Sequence, residues 1–237
     1  MIASIRVNSR FNGPSGSANG GYLCGLMAAK IGRSLTVRLH RPIPLETDLA
    51  LRFDSVSGKW HLLLDEQMLA AANVAHEHIH LHTHVPDSPG LVPALEAAEA
   101  FSGHAYHPYP ECFVCGPQRR VHDGLRIFPG HMPGINQVAA TWVPDARLAD
   151  RDGNVAAEFI WAAMDCPGYF ASVRPGCAAL LGELSVYLER SVKVGLPYVV
   201  IGWQILIQGR KHKVGTALFD ESGHRCAVGV ATWLEVS

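Results

Sequence analysis

The chain carries the same plan twice, and that repetition limits its fold more than any other feature. An apolar helix-like run with almost no charge occupies residues 17–31, and a second occupies residues 154–171. Each follows a short strand-like stretch and precedes a series of them. Each opens on an Asn, Asn19 in the first and Asn154 in the second. In the first run Tyr22, Leu23, Leu26, Met27 and Ile31 cover much of the circumference, with Gly21, Gly25, Ala28 and Ala29 as small contacts. A helix apolar nearly all round is a buried helix. Ser17 or Asn19 can cap it, and Gly32 can end it. The second helix is expected over residues 155–164, with Pro167-Gly168 marking a kink or an end.

Alternating stretches follow the first helix at 34–41, 48–55, 60–65 and 68–85, separated by turn-like Pro42-Ile43-Pro44 and Ser57-Gly58. The second half repeats this, with strand-like residues 125–128 and 137–143 before its helix and 181–189, 198–208, 214–220 and 226–235 after it. No second helix separates the strands of either series, which disfavours βαβ winding. The expected organisation is a first unit over residues 1–85, a Pro-, Ala- and His-containing linker over 86–111 and a second unit over 112–237. Residues 93–100 of the linker could form a short helix. In a fused pair of similar units, the site is expected where the halves meet.

Composition removes several function classes. The 237 residues suffice for one large domain or two of roughly 100–120 residues. Twenty basic and 21 acidic residues leave a formal net charge of −1, so nothing favours a nucleic acid or a membrane surface as partner. No apolar run reaches the ~18 residues of a membrane span. The opening residues turn polar too early for a secretory signal, and six Cys then read as free thiols in a reducing compartment, so a cytoplasmic location is expected.

Local motifs sharpen the architecture. Phe11-Asn12-Gly13-Pro14 with Asn19-Gly20-Gly21-Tyr22 resembles the helix entrance of hotdog-fold thioesterases. Cys112-Phe113-Val114-Cys115-Gly116-Pro117, followed by Gly124-Leu125-Arg126-Ile127-Phe128, resembles the opening segment of phenylacetate-pathway-type relatives. Trp161 to Gly168 and Gly215 to Asp220 are similar to bacterial members of that group. The resemblance spans nearly the whole chain. It implies an α+β double hotdog: two antiparallel sheets, each wrapped around one buried helix. It also implies an acyl-CoA thioesterase acting on an acyl-CoA or acyl-carrier thioester, with no cofactor. A homodimer of double hotdogs is the expected assembly.

The residues support a division of labour between the halves. Asn19, Gly20 and Gly21 would lie at a helix N-terminus, where unpaired N–H groups and the positive end of the dipole could polarise a thioester carbonyl. One such donor is worth about 3–4 kcal/mol in a transition state. The plain alternative is a tight turn with a capping residue. Asp165 is the sharper candidate, because a buried carboxylate near a helix C-terminus has a raised pKa and becomes a better base or nucleophile near neutrality. Its alternative is a structural carboxylate bonded to loop N–H groups or an Arg. Asn154 plus 11 is Asp165 whereas Asn19 plus 11 is Lys30, so one competent asymmetric site is expected. Glu158 could orient water or favour the helix dipole. Tyr22 and Trp161 are candidate substrate contacts. Arg210 and Lys211, in the run Gly209 to Lys213, could hold coenzyme A phosphates, with Arg119-Arg120 as a second patch; solvated hairpin charges are the alternative.

Two further patterns concern metals. His76, His78, His80, His82 and His84 alternate on one strand face, which suits a polar face first and adventitious metal capture second. Cys112-x-x-Cys115-Gly is half a zinc knuckle, with His104 and His107 just upstream, but no second C-x-x-C exists. Paired free thiols are therefore the default, and no metal is assigned. A dehydratase is disfavoured because neither helix contains His and none occurs from 132 to 211. A Ser or Cys hydrolase is disfavoured by the absence of G-x-S-x-G and of a His near Cys166 in sequence. The non-enzyme alternative is an acyl-CoA or lipid-binding hotdog protein with a decayed site.

Overall fold

The computed structural model describes residues 2–75, 84–174 and 176–236. In chain order the elements are β1 (Ile2–Ile5), α1 (Gly20–Ile31), β2 (Leu35–Leu39), β3 (Leu49–Asp54), β4 (Lys59–Leu64), β5 (Gln67–Val74) and α2 (Leu91–Glu99), then β6 (Gly130–His131), β7 (Gln137–Trp142), α3 (Ala157–Ala163), α4 (Cys166–Ser172), β8 (Ala178–Leu188), β9 (Tyr198–Gln208), β10 (Lys211–Phe219) and β11 (Arg225–Val236). The repeat holds at the level of topology. In the first half the sheet order is β1-β3-β4-β5-β2, and in the second β7-β9-β10-β11-β8, each with helix inserted after its first strand. All the pairings are antiparallel.

The expectation of two sheets is corrected. The halves join into one 11-stranded sheet through β2 and β8, with Thr36, Val37 and Arg38 opposite Ser185, Leu184 and Glu183. An open strand edge invites pairing, and each half covers the other's edge. Side chains reinforce the seam: Arg38 Nη2 lies 2.8 Å from Glu183 Oε2, and Ser185 Oγ donates to Thr36 Oγ1 at 2.7 Å.

The helices also depart from one per half. The second apolar run breaks into α3 and α4, because Asp165 takes φ −83°, ψ −75° between them and Pro167 starts a new helix. It is α4 that packs on β9, β10 and β11, while α3 packs on α1. Asn154 does not cap α3. The helix starts after Ala156, and Asn154 bridges to Lys193 in a turn whose N–H groups are taken by Asp150 Oδ1.

Residues 125–128 are not a strand. Arg126 has φ +55°, and Leu125 and Ile127 donate instead to the carbonyls of Phe113 and Val114. The expected linker is partly a structural layer: α2 buries Ala94 and Ala97 against Ala139, Val199, Ile201 and Trp203 of the sheet. The fifth strand ends at Val74; His76, His78, His80 and His82 lie outside the described residues, and His84 follows in non-regular chain. No helix among the described residues is long and apolar enough to cross a membrane.

Candidate functional site

The site forms where α1 of the first half meets the α3–α4 break of the second. Asn19 is the N-cap of α1: its Oδ1 accepts from Tyr22 N at 2.9 Å and its carbonyl from Leu23 N at 3.1 Å. That bond fixes the amide orientation, so Nδ2 points into the protein. There it donates to Asp165 Oδ2 at 2.9 Å, and Gly21 N donates to the same oxygen at 3.0 Å. The backbone at the break is held separately. Asp165 N donates to Ala162 O, Gly168 N to Asp165 O, and Thr216 Oγ1 to Met164 O.

The reason for glycine at position 21 is packing. A Cβ there would lie 2.6 Å from Asp165 Cβ and 2.8 Å from Trp161 O. Four residues on, a Cβ at Gly25 would lie 2.5 Å from Glu158 Cα. The two glycines let α1 and α3 cross closely enough for a carboxylate of one half to reach the helix N-terminus of the other.

Asp165 is 1% exposed. Burial pushes its carboxyl up to about 7, with the nearby Cys112 adding to the rise, while the Gly21 and Asn19 bonds pull it back. Its second oxygen, Oδ1, is buried with no protein partner among the described residues. A cleft of about 430 Å³ reaches Asp165 and is lined by Asn19, Gly20, His107, Tyr109, Tyr169 and Trp233 among others. Gly20 N–H, unlike the next two N–H groups of α1, has no acceptor among the described residues. Pro14, Gly20, Leu180 and Leu181 are also walls of a second groove of about 820 Å³, which carries His40 and Arg41. Gly20 therefore stands between an inner pocket with a carboxylate and an outer groove with a cation.

The structure brings Asn19, Gly20, Gly21 and Asp165 together and leaves the other candidates elsewhere. Tyr22 is not on the cleft; its ring stacks on Phe11 at 4.1 Å between centroids and packs with Phe113 and Phe159. Trp161 is fully buried in the core. Glu158 sits half-buried in the first turn of α3, where a carboxylate favours the dipole, and does not line the cleft. Arg210 and Lys211 are exposed at the β9–β10 hairpin, also off the cleft, and His212 turns inward to Ser172 and Glu235. Arg119 is a tie within the fold, donating to Glu111 O, Arg10 O and the Asp123 carboxylate.

Residues that sequence reasoning left off the site include Tyr109, Tyr169, Trp233, His107 and three cysteines. Cys112, Cys115 and Cys166 are all buried with their sulfurs within 4.8 Å of one another. The C-x-x-C spacing signalled two of them. Only adjacency to Asp165 pointed to the third.

No family model matches the sequence, and no curated protein matches it. Solved structures do match its fold along its whole length. A tesB protein of Mycobacterium avium subsp. paratuberculosis superposes with a TM-score of 0.65 at 14% identity, covering 100% of this chain and 93% of the other. A provisionally assigned thioesterase II of Thermobifida fusca gives 0.61 at 14%, covering 100% and 94%. A provisionally assigned thioesterase of Novosphingobium aromaticivorans gives 0.59 at 14%, covering 100% and 96%. At such identity the likeness is one of fold, and the α+β architecture with its large antiparallel sheet is the fold shared with these structures.

Proposed function

We propose that this chain is a double-hotdog thioesterase that hydrolyses an acyl-CoA or related acyl-carrier thioester at a single site. The observation that carries this reading is the buried Asp165 carboxylate. One oxygen is held by Asn19 and Gly21, and the other is unpartnered beside a cleft containing the free Gly20 N–H. The thioesterase names of two of the three fold neighbours agree with it.

In the reaction the thioester carbonyl oxygen accepts from Gly20 N–H. Asp165 Oδ1 takes a proton from water as that water attacks the carbonyl carbon. The tetrahedral intermediate then collapses, the C–S bond breaks, and the proton passes to the leaving thiolate, giving a free acid and a thiol. Gly21 N–H serves the carboxylate rather than the substrate, so it keeps the base in place instead of completing a two-donor oxyanion hole. Direct attack by Asp165 is the less direct route, because Oδ2 is committed to two donors and Oδ1 alone would have to serve as nucleophile and then be released. The acyl chain would lie among Tyr109, Tyr169 and Trp233, and the carrier in the groove with Arg41.

The test is Asp165→Asn across a panel of acyl-CoA thioesters, read by thiol release. Removing a general base typically costs 10²- to 10⁴-fold, so a loss of about that size is expected. Full hydrolysis by a variant shown to bind substrate would refute the role. The second reading, a binding protein, has one observation in its favour: Asp165 already occupies the Gly21 donor. Thermal stabilisation of the wild-type chain by acyl-CoA with no thiol release would select it.

A further inference from the structure

We propose that Cys112, Cys115 and Cys166 form a zinc site, with three sulfur ligands from this chain and a fourth position left to a molecule in the cleft. The proposal stands on geometry and does not depend on the reaction described above. Cys112 Sγ and Cys166 Sγ are 3.8 Å apart, and all three sulfurs fall within 4.8 Å of one another. Four ligands placed tetrahedrally at the zinc–sulfur distance of ~2.3 Å have edges of ~3.8 Å. The Cys112–Cys166 separation matches that edge, none of the three separations exceeds it by more than about 1 Å, and no two sulfurs are joined as a disulfide.

The local backbone has the form of a metal knuckle. Between Cys112 and Cys115 the chain turns so that Gly116 N donates to Cys112 O at 2.9 Å. A Cβ at Gly116 would lie 2.5 Å from that carbonyl oxygen and 2.6 Å from Cys112 N, so only glycine fits. Asn19 Nδ2 approaches Cys112 Sγ at 3.9 Å. Such a donor favours a thiolate, the form that binds metal.

The two histidines upstream of the C-x-x-C motif take different places. His104 is exposed and packs edge-on to Phe101 and Phe128. His107 Nε2 lies 3.2 Å from Cys115 Sγ, but its Nδ1 accepts from Tyr109 N at 2.9 Å. With Nδ1 accepting, the neutral ring carries its proton on Nε2. It therefore donates to the Cys115 sulfur rather than ligating the ion, and supports the site from its outer side. Cys166, the residue after Asp165, supplies the third ligand from α4. Zinc at this point would clamp the segment that follows the connector onto the helix break that presents Asp165.

The test uses the whole chain without a histidine tag, kept under a phosphine reductant without oxygen and titrated with Co²⁺. One equivalent should produce a thiolate-to-cobalt charge-transfer band, which Zn²⁺ then abolishes. Imidazole ligands give no such band, so the His76–His84 tract cannot imitate it. Cys112→Ser and Cys166→Ser should lose the band, and a variant with all five histidines of that tract changed to Asn should keep it. No thiolate band in the wild-type titration would overturn the proposal, and that measurement decides even if the cysteine variants do not fold. A band that persists in a folded Cys112→Ser/Cys115→Ser/Cys166→Ser chain would overturn it equally.

Discussion

The close crossing of α1 and α3 can be tested at Gly25, away from the reacting groups. A methyl at that position would lie 2.5 Å from Glu158 Cα, 2.8 Å from Trp161 Cβ and 3.1 Å from Glu158 O. Carbon atoms rest at ~3.5–4.0 Å, so α1 and α3 would have to separate by about 1 Å. Two of the three opposing atoms are backbone, and no rotamer change relieves them. Overpacking of this kind costs about 1–3 kcal/mol, and a backbone clash belongs at the upper end. Replacing Gly by Ala inside a helix returns about 1 kcal/mol. The net expectation for Gly25→Ala is a loss of about 2 kcal/mol, or a fall in Tm of roughly 4–8 °C for a chain of this size. Ala29→Gly, at an exposed position of the same helix, calibrates the propensity contribution at about 1 kcal/mol with no packing change. Differential scanning calorimetry on the three proteins gives the answer. A Tm for Gly25→Ala above that of the wild type would mean propensity alone is felt, and the helix crossing would be wrong. Gly21→Ala should lose similar stability and, because its methyl meets Asp165 Cβ at 2.6 Å, more activity than Gly25→Ala.

Other consequences concern the cap, the carrier groove and acid stability. Asn19→Ala removes the α1 cap and one of the two donors to Asp165, and a loss of about 2–3 kcal/mol in urea unfolding is expected; a loss below ~0.5 kcal/mol would show that neither bond matters. Arg41→Ala should raise KM for acyl-CoA with little change in kcat, whereas Arg210→Ala with Lys211→Ala should change neither; the reverse pattern would place the carrier at the hairpin. The Arg147 side chain, then its N–H, and then His122 hold the Asp145 carboxyl well below the usual carboxylate range. The folded pKa is depressed, so the stabilisation is complete above the unfolded value near ~3.9 and is lost as pH falls through the folded one. Asp145→Asn should flatten the acid limb of a stability curve below about pH 4, and an unchanged limb would remove that cluster as its cause.

The parts of this fold legible in sequence were those set by periodicity and by a short-range physical demand. Buried α1 followed from apolar residues on all sides, Asn19 from its capping chemistry, and β9 from a long apolar run read to its exact ends, Tyr198 and Gln208. Whether an aromatic on a helix faces core or cleft is not encoded locally. Tyr22 and Trp161 were therefore equally good substrate candidates until tertiary packing placed both in the core. The place of the cationic hairpin was equally open: strand alternation turns His212 inward and leaves Lys211 and Lys213 facing solvent, with Arg210 in the turn. Cys166 meets Cys112 across 54 residues, and nothing in either segment specifies that contact. The single continuous sheet also needed tertiary information, since the β2–β8 pairing spans only three residues on each strand.

The two halves also differ when they are counted in structural register. Counted from the residue that precedes each helix, Asp165 lies nine after Ala156, and the matching position nine after Asn19 is Ala28, not Lys30. Ala28 is buried and apolar. The donors differ too: Asn19 offers an amide to Asp165, whereas Ala156 makes no side-chain cap bond. A carboxylate at the Ala28 position would lack a counterpart to the amide donor that Asn19 gives, because Ala156 has none. An unpaired buried polar group costs about 1–3 kcal/mol, and a charged one more. The first half lacks the acid and the second lacks the amide cap, and the two absences fit each other: without the donor the acid is a burden, and without the acid the donor has no inward partner. The candidate site draws its donors from the first half and its carboxylate from the second, so neither half alone contains it.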